Sequence, residues 1–249
     1  MKPLLSIRKL KKNYQDLDGE VEALGGIDLD VYEGEILSIV GPSGCGKTSL
    51  LSILSNLENK SDGNVKFQNE TIKIGYMLQK DALFPWRTIL ENCLLGLEIQ
   101  HSLTEESKKR VIELLKTYGL SEFMDKYPSS LSGGMRQRVA LIRTLAIDPD
   151  ILFLDEPFSA LDYITRIYLS EDVYNIIKKE GKTAILVTHD LAESISLSDR
   201  VAVLSKRPAV VKKIYNIEMK NKSTPMENRK TKEFNEYYDK IWRDLDVHL

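Results

Sequence analysis

Two rhythms of apolar and polar positions divide this chain. Short, almost uninterrupted apolar runs occupy 36–40 (Ile36-Leu37-Ser38-Ile39-Val40), 151–154, 183–187 and 200–204, and residues 72–77 form a weaker one. Such runs predict buried strands. Between them lie segments with helical spacing. The stretch 47–57 reads as a helix that follows the first run, and 104–118 places Val111, Leu114 and Leu115 on one face with Glu and Lys elsewhere. The tail from Phe234 carries Tyr237, Tyr238, Ile241, Trp242 and Leu245 at helical spacing, and predicts a helix packed on the body or a contact between copies. Strands alternating with helices predict an α/β fold with a mostly parallel sheet. The region about 83–142 is mainly helical and interrupts the strand pattern, which predicts an inserted helical subdomain. Residues 206–232 are rich in Lys and Arg and predict a solvated edge strand and loop, or else a basic binding patch. No internal repeat and no low-complexity linker is present.

Composition narrows the function classes. With 249 residues, 42% apolar and 29% charged, the chain can bury one sizeable core. A net charge of -2 argues against nucleic acid as the main partner. Cys45 and Cys93 are too few for a disulfide framework, so a reducing compartment is expected. Met1-Lys2-Pro3-Leu4-Leu5 runs into Arg8, Lys9, Lys11 and Lys12 without a signal-peptide pattern. No apolar run approaches the roughly 20 residues that cross a bilayer, so work at a membrane needs spans from another chain.

The chemistry begins at Gly41-Pro42-Ser43-Gly44-Cys45-Gly46-Lys47-Thr48, which fits G-x-x-x-x-G-K-[ST] between a strand and a helix. Glycines let the backbone curl so that N–H groups converge on phosphates, aided by the helix dipole. Lys47 can reach the β and γ phosphates, and the Thr48 hydroxyl can ligate Mg²⁺. Cys45 is expected to be a bystander whose thiolate is favoured at a helix N-terminus, hence open to alkylation. Downstream, an apolar strand ends in Asp155-Glu156. Asp155 suits a Mg²⁺ shell, and Glu156 can accept the proton of an attacking water. Between these two motifs stands Leu131-Ser132-Gly133-Gly134-Met135-Arg136-Gln137-Arg138. Leu-Ser-Gly-Gly alone reads as a turn and N-cap, which gives the following Arg136, Gln137 and Arg138 no reason to be there.

In this combination and order the motifs resemble the nucleotide-binding subunits of ATP-binding cassette (ABC) transporters, over about residues 9–205. The resemblance implies a P-loop NTPase (RecA-like) α/β core with an N-terminal antiparallel β subdomain and an inserted helical subdomain. It implies one nucleotide-binding domain over 1–249, with a helical part at about 83–142 and a C-terminal tail at about 219–249. It also implies roles for further residues. Tyr14 stands where the family stacks an aromatic ring on adenine, worth roughly 1–3 kcal/mol for a base. Ser49 extends the phosphate-loop set. Gln79 is the Q-loop glutamine that touches metal and water, and Ser132, Gly133 and Gly134 present N–H groups to the γ-phosphate held by a second copy. Ser159-Ala160-Leu161-Asp162 is the D-loop, and His189 is the switch histidine. A lone His is more often structural, but this one follows an apolar strand. His101 and His248 lack such a setting and are expected at the surface.

The implied cofactors are ATP and Mg²⁺, and the implied partner is a second copy in a head-to-tail ATP sandwich. Catalysis then falls to Glu156, His189 and Gln79, with Thr48, Gln79 and Asp155 at the metal. An isolated monomer should hold ATP but hydrolyse it poorly. The run Gln79-Lys80-Asp81-Ala82-Leu83-Phe84-Pro85-Trp86 resembles the subclass that imports nitrate, sulfonates and taurine. Phe84 and Trp86 suit a groove for a transmembrane permease subunit, or else core packing. The full system would include an extracytoplasmic solute-binding protein, and the subunit would sit peripherally on the cytoplasmic face of the membrane. Three departures from the family stand out: Phe84 where Leu is common, Thr48-Ser49 in place of Ser-Thr, and Asn56 where Gly is usual. The run Asn59-Lys60-Ser61-Asp62 mimics a guanine-reading motif but closes the first helix, and reads as a turn. The rival class, a soluble ABC ATPase acting on nucleic acid or ribosomes, generally has two fused cassettes or a long coiled-coil insertion, and neither is seen. A regulatory subunit without turnover is opposed by Glu156 and His189.

Overall fold

The computed structural model describes residues 2–16, 19–159 and 161–245. Two sheets form its frame. The first is antiparallel, in the order β2 (Gly19–Val31), β1 (Leu5–Asp16), β4 (Asp62–Phe67). The second runs β5 (Ile74–Met77), β6 (Ile151–Asp155), β7 (Thr183–Val187), β3 (Ile36–Val40), β8 (Arg200–Leu204), β9 (Val211–Asn216). Its first five strands are parallel, and β9 closes one edge antiparallel to β8. This is the P-loop α/β core with an N-terminal antiparallel β layer.

The apolar runs are continuous because the central strands are covered on both faces. Leu37, Ile39, Phe153, Ile185 and Val187 face the antiparallel layer and helix α1 (Lys47–Leu54), meeting Leu5, Ile7, Leu24, Leu50 and Leu51. Leu152, Leu154, Ala184 and Leu186 face the other way. There they meet α2 (Ile89–Ile99), α3 (Glu105–Thr117), α4 (Gly133–Ala146) and α5 (Tyr163–Lys179) through Cys93, Val111, Leu141 and Val173. A third cluster joins α6 (Leu191–Leu197), β8, β9 and the tail. After a short α7 (Pro225–Asn228), the tail helix α8 (Lys232–Asp244) buries Phe234 and Ile241 against Tyr215, Ile217 and Met219. Trp242 stays half exposed, stacked on Tyr238.

Two sequence expectations shift, and a third, the edge strand in the basic stretch, holds. Helix α1 ends at Leu54, short of residue 57. Asn56 takes φ 59, its N–H donates to Ile53 O, and the Leu57 N–H donates to Ser52 O, which is a Schellman ending. Asn tolerates this left-handed position, so it can stand where glycine is usual. Strand β5 begins at Ile74, two residues later than the apolar run suggested. The basic stretch after residue 206 holds the edge strand β9, with Lys212 and Lys213 on its surface.

Candidate functional site

Parallel strands bring their C-terminal ends to one edge, where α/β sheets bind ligands. Strand β7 lies between β6 and β3, which puts the phosphate loop and the acidic pair two strand spacings apart, about 10 Å. That gap is the site. Ser43, Gly44, Gly46, Lys47, Thr48 and Ser49 from the β3–α1 loop form one wall of an open cleft of about 520 Å³. Gln79, Glu156, His189 and Arg207 complete it.

The loop fits its sequence. Gly46 has φ 115, and a Cβ there would come within 2.9 Å of Leu24. Only glycine is at ease in both respects. Lys47 is nearly buried, and its ammonium donates to Gly41 O at 2.8 Å and Pro42 O at 3.0 Å. An ammonium has three donors, so one remains for the cleft. The Thr48 hydroxyl donates to Asp155 Oδ1 at 3.3 Å, and the Tyr76 hydroxyl donates to Asp155 Oδ2 at 3.3 Å. Burial raises the Asp155 carboxyl above its ordinary range and pushes the Tyr76 phenol up to about 12. A cation beside Thr48 would relieve that burial penalty on Asp155. Among the described residues, no three His, Cys, Asp or Glu groups are placed to hold a metal alone. An ion on Thr48 and Asp155 would need phosphate, water and a neutral side chain such as Gln79 to complete its shell, as Mg²⁺ commonly does.

Glu156 sits one residue past β6 with φ 46, a left-handed conformation uncommon for a non-glycine residue. Its N–H still donates to Val187 O at 2.8 Å, so the turn is pinned to β7. Its Oε2 accepts from Gln79 Nε2 at 3.2 Å and lies 3.3 Å from His189 Nδ1. Three strand ends, those of β5, β6 and β7, thus meet at one carboxylate oxygen.

Other predicted residues lie outside this cleft lining. Tyr14 is half-buried on β1, its hydroxyl donating to Glu58 Oε2 at 2.6 Å and bonding to Ser49 Oγ at 2.8 Å, with the Lys12 ammonium over its ring. Ser132 caps α4, its Oγ accepting from the Met135 N–H. Gly133 and Gly134 abut Leu161 and Thr165, so the signature packs beside the D-loop of its own chain. The Asp162 carboxylate caps α5 by accepting the Thr165 N–H at 3.0 Å, and hydrogen bonds from the Thr165 side chain and backbone hold it below the usual carboxylate range. Ala160 and His248 lie outside the described residues. His101 is exposed with φ 52. The expectation for Cys45 is corrected: the thiol is 2% exposed beneath the loop, and burial raises its pKa, so desolvation outweighs the helix terminus.

Several positioning contacts lie beyond what the motifs specify. Asp81 accepts from Arg136 Nε at 3.0 Å, while Arg143 donates to the Ala82 and Asp81 carbonyls, both at 2.7 Å. These bonds tie the segment after Gln79 to the signature helix. Arg166 donates to Leu161 O at 3.0 Å and to Asp190 Oδ2 at 3.3 Å, joining the D-loop to the residue after His189. Glu193, buried beneath, accepts from the Thr188 hydroxyl at 2.7 Å, and burial pushes its carboxyl up to about 7.

Along most of its length the chain is similar to known ATP-binding cassettes. Residues 24–159 match the family model described as ABC transporter. The chain is 43% identical to the uncharacterized ABC transporter ATP-binding protein YtlC of Bacillus subtilis (strain 168), over 97% of this chain and 95% of that one. It is 35% identical to the aliphatic sulfonates import ATP-binding protein SsuB of Bacillus cereus (strain ZK / E33L), over 97% and 96%. With the taurine import ATP-binding protein TauB of Jannaschia sp. (strain CCS1) the identity is 37%, over 92% and 87%. A solved dimer of the bacterial ABC transporter cassette MJ0796 superposes with a TM-score of 0.75 at 31% identity, over 86% of this chain and 99% of that one. A dimer of the same cassette in a post-hydrolysis state with ADP and Pi gives 0.74 at 30%, over the same shares of the two chains. The chain belongs to the ABC transporter family, as one of its ATP-hydrolysing cassettes.

Proposed function

We propose that this chain powers an importer of a small solute of the sulfonate or taurine kind, working as a head-to-tail pair on permease subunits at the cytoplasmic face of the membrane. The observation that carries the reading is the meeting of Gln79 and His189 on Glu156 Oε2, beside the Thr48–Asp155 pair. In this reading the loop N–H groups and Lys47 hold the ATP phosphates. Thr48 and Asp155, with Gln79, hold Mg²⁺, which supplies charge neutralisation at the phosphates when bound. Glu156 accepts the proton of the attacking water, while Gln79 and His189 fix that carboxylate and reach toward the γ-phosphate. Tyr14 offers its ring to adenine.

The signature supports a paired site. Ser132 is exposed at the start of α4, and neither it nor Gly133 or Gly134 lines the cleft of its own chain, which suits a helix N-terminus that addresses a nucleotide on a second copy. Asp162, beside the signature through Leu161, belongs to the same face. Hydrolysis would remove the phosphate that joins the copies, and Arg143 and Asp81 would pass the change from Gln79 to the helices. Trp86, 70% exposed and packed on Phe84, offers the permease an aromatic contact. No described helix is long and apolar enough to cross a membrane, so the spans fall to those partners. A solute-binding protein on the far side would select the cargo. Purifying the tagged protein from membranes tests the assignment. A co-purifying polytopic permease supports it, while ribosomes or DNA-repair proteins in its place would point to a soluble ATPase.

A further inference from the structure

Each of the five parallel strands ends at the cleft, and four of those ends carry site groups described above. Strand β3 delivers the phosphate loop, β5 Gln79, β6 Asp155 and Glu156, and β7 His189. The fifth, β8, ends at Leu204 and delivers Arg207. No motif marked this residue.

The segment that carries Arg207 is fastened on both sides. The Ser205 N–H donates to Val210 O and the Val210 N–H to Ser205 Oγ, both at 3.0 Å. Ala209 is fully buried, donates to Ala23 O at 3.0 Å and accepts from Gly25 N at 2.9 Å, which stitches the turn to β2. Pro208 fills the space beside Gly25, where an added Cβ would stand 3.1 Å away. Arg207 itself is exposed and projects over the loop, its Nη2 3.8 Å from where a Cβ on Gly44 would lie. Among the described residues no carboxylate pairs with it. Its field reaches the Tyr14 hydroxyl and the Cys45 thiol, lowering the pKa of each against their burial.

Strand order fixes which part of a nucleotide Arg207 faces. Strand β8 flanks β3 on the side opposite β7, so Arg207 lies across the phosphate loop from Glu156, Gln79 and His189. It projects over Gly44, and its charge is felt at Tyr14. We infer that Arg207 is a nucleotide-binding residue that grips the α- and β-phosphates from the side of the loop opposite the hydrolytic groups. The inference rests on the ATP-binding reading of the same cleft. A planar guanidinium offers two parallel donors to phosphate oxygens, and an unpaired one at a cleft mouth is ready to make them. Because it faces away from the γ-phosphate, it holds ADP as firmly as ATP.

Equilibrium binding of ATP and ADP to the whole chain and to Arg207→Ala and Arg207→Lys tests this. Arg207→Ala should weaken both nucleotides by about tenfold, in step, as loss of a charge-assisted hydrogen bond does. Arg207→Lys should recover part of the loss, and the melting temperature of both nucleotide-free variants should match the parent. Unchanged affinity for both nucleotides would overturn the inference, as would a loss confined to ATP. So would a lowered melting temperature without rescue by lysine, which would mark a packing role. Failure of the parent chain to bind either nucleotide would instead remove the ATP-binding reading itself.

Discussion

His189 Nδ1 lies 3.3 Å from Glu156 Oε2, the oxygen that also accepts from Gln79 Nε2 at 3.2 Å. Residues distant in sequence thus converge on one atom because their strands are neighbours in a parallel sheet. Glu156 holds a left-handed φ of 46 there, so the turn keeps its carboxylate on the cleft side at some backbone cost.

Removing the charge while keeping the shape isolates the role of that oxygen. Glu156→Gln should lower phosphate release by about 10²–10⁴, the usual worth of a positioned general base. A steady-state ATPase assay at saturating ATP measures it. Release at the parent rate would move the proton acceptor elsewhere.

Glu193 makes stability depend on pH. Burial lifts its carboxyl from an ordinary 4.5 to about 7, against the pull of the Thr188 hydrogen bond and Arg166. The folded chain therefore keeps a proton that the unfolded chain releases. The stability this contributes is complete below about pH 4.5 and is lost as pH rises through about 7. Glu193→Gln keeps an acceptor for Thr188 and removes the titration. Urea denaturation should show it more stable than the parent by about 1–3 kcal/mol at pH 8. Near pH 4.5 the two should be closely matched. A difference of the same size at both values would contradict the assignment.

Arg143 holds the Q-loop carbonyls at Asp81 and Ala82 from the signature helix. Arg143→Ala should cost about 1–3 kcal/mol of stability, as loss of charged donors does. Amide hydrogen exchange should quicken around residues 79–83, while the α8 amides stay as slow as in the parent. Equal quickening throughout the chain would show that the arginine supports the fold at large.

The site was legible where backbone chemistry forces a motif. Gly46 needs its positive φ, and Lys47, Thr48, Asp155 and Glu156 stand at or just past the end of a strand that is apolar because both its faces are buried. Strands β3, β7 and β8 could be bounded to the residue for the same reason. The antiparallel layer was less readable. Strands β1 and β2 mix exposed charged positions with buried ones and contain register shifts, so no period of two survives. Arg143, Arg166 and Glu193 carry no local signal, and Asp81 lies in the Gln79–Trp86 run without a role marked there, since the partners of all four are set by tertiary packing. Arg207 depends on the strand order of the sheet, which apolar runs do not reveal. Cys45 misled because a helix N-terminus suggests a reactive thiolate, and burial decides otherwise.

In a shared site the signature completes the phosphate pocket of a second copy. Light scattering on Glu156→Gln, alone and combined with Gly134→Asp, separates this from a site contained in one chain. The single variant should be a dimer with ATP and a monomer with ADP, because only the γ-phosphate reaches the partner's signature. Adding Gly134→Asp places a carboxylate at that N-terminus and crowds Thr165, so the double variant should stay monomeric with either nucleotide. A single variant that stays monomeric with ATP, or a double variant that pairs as readily, would contradict the shared site.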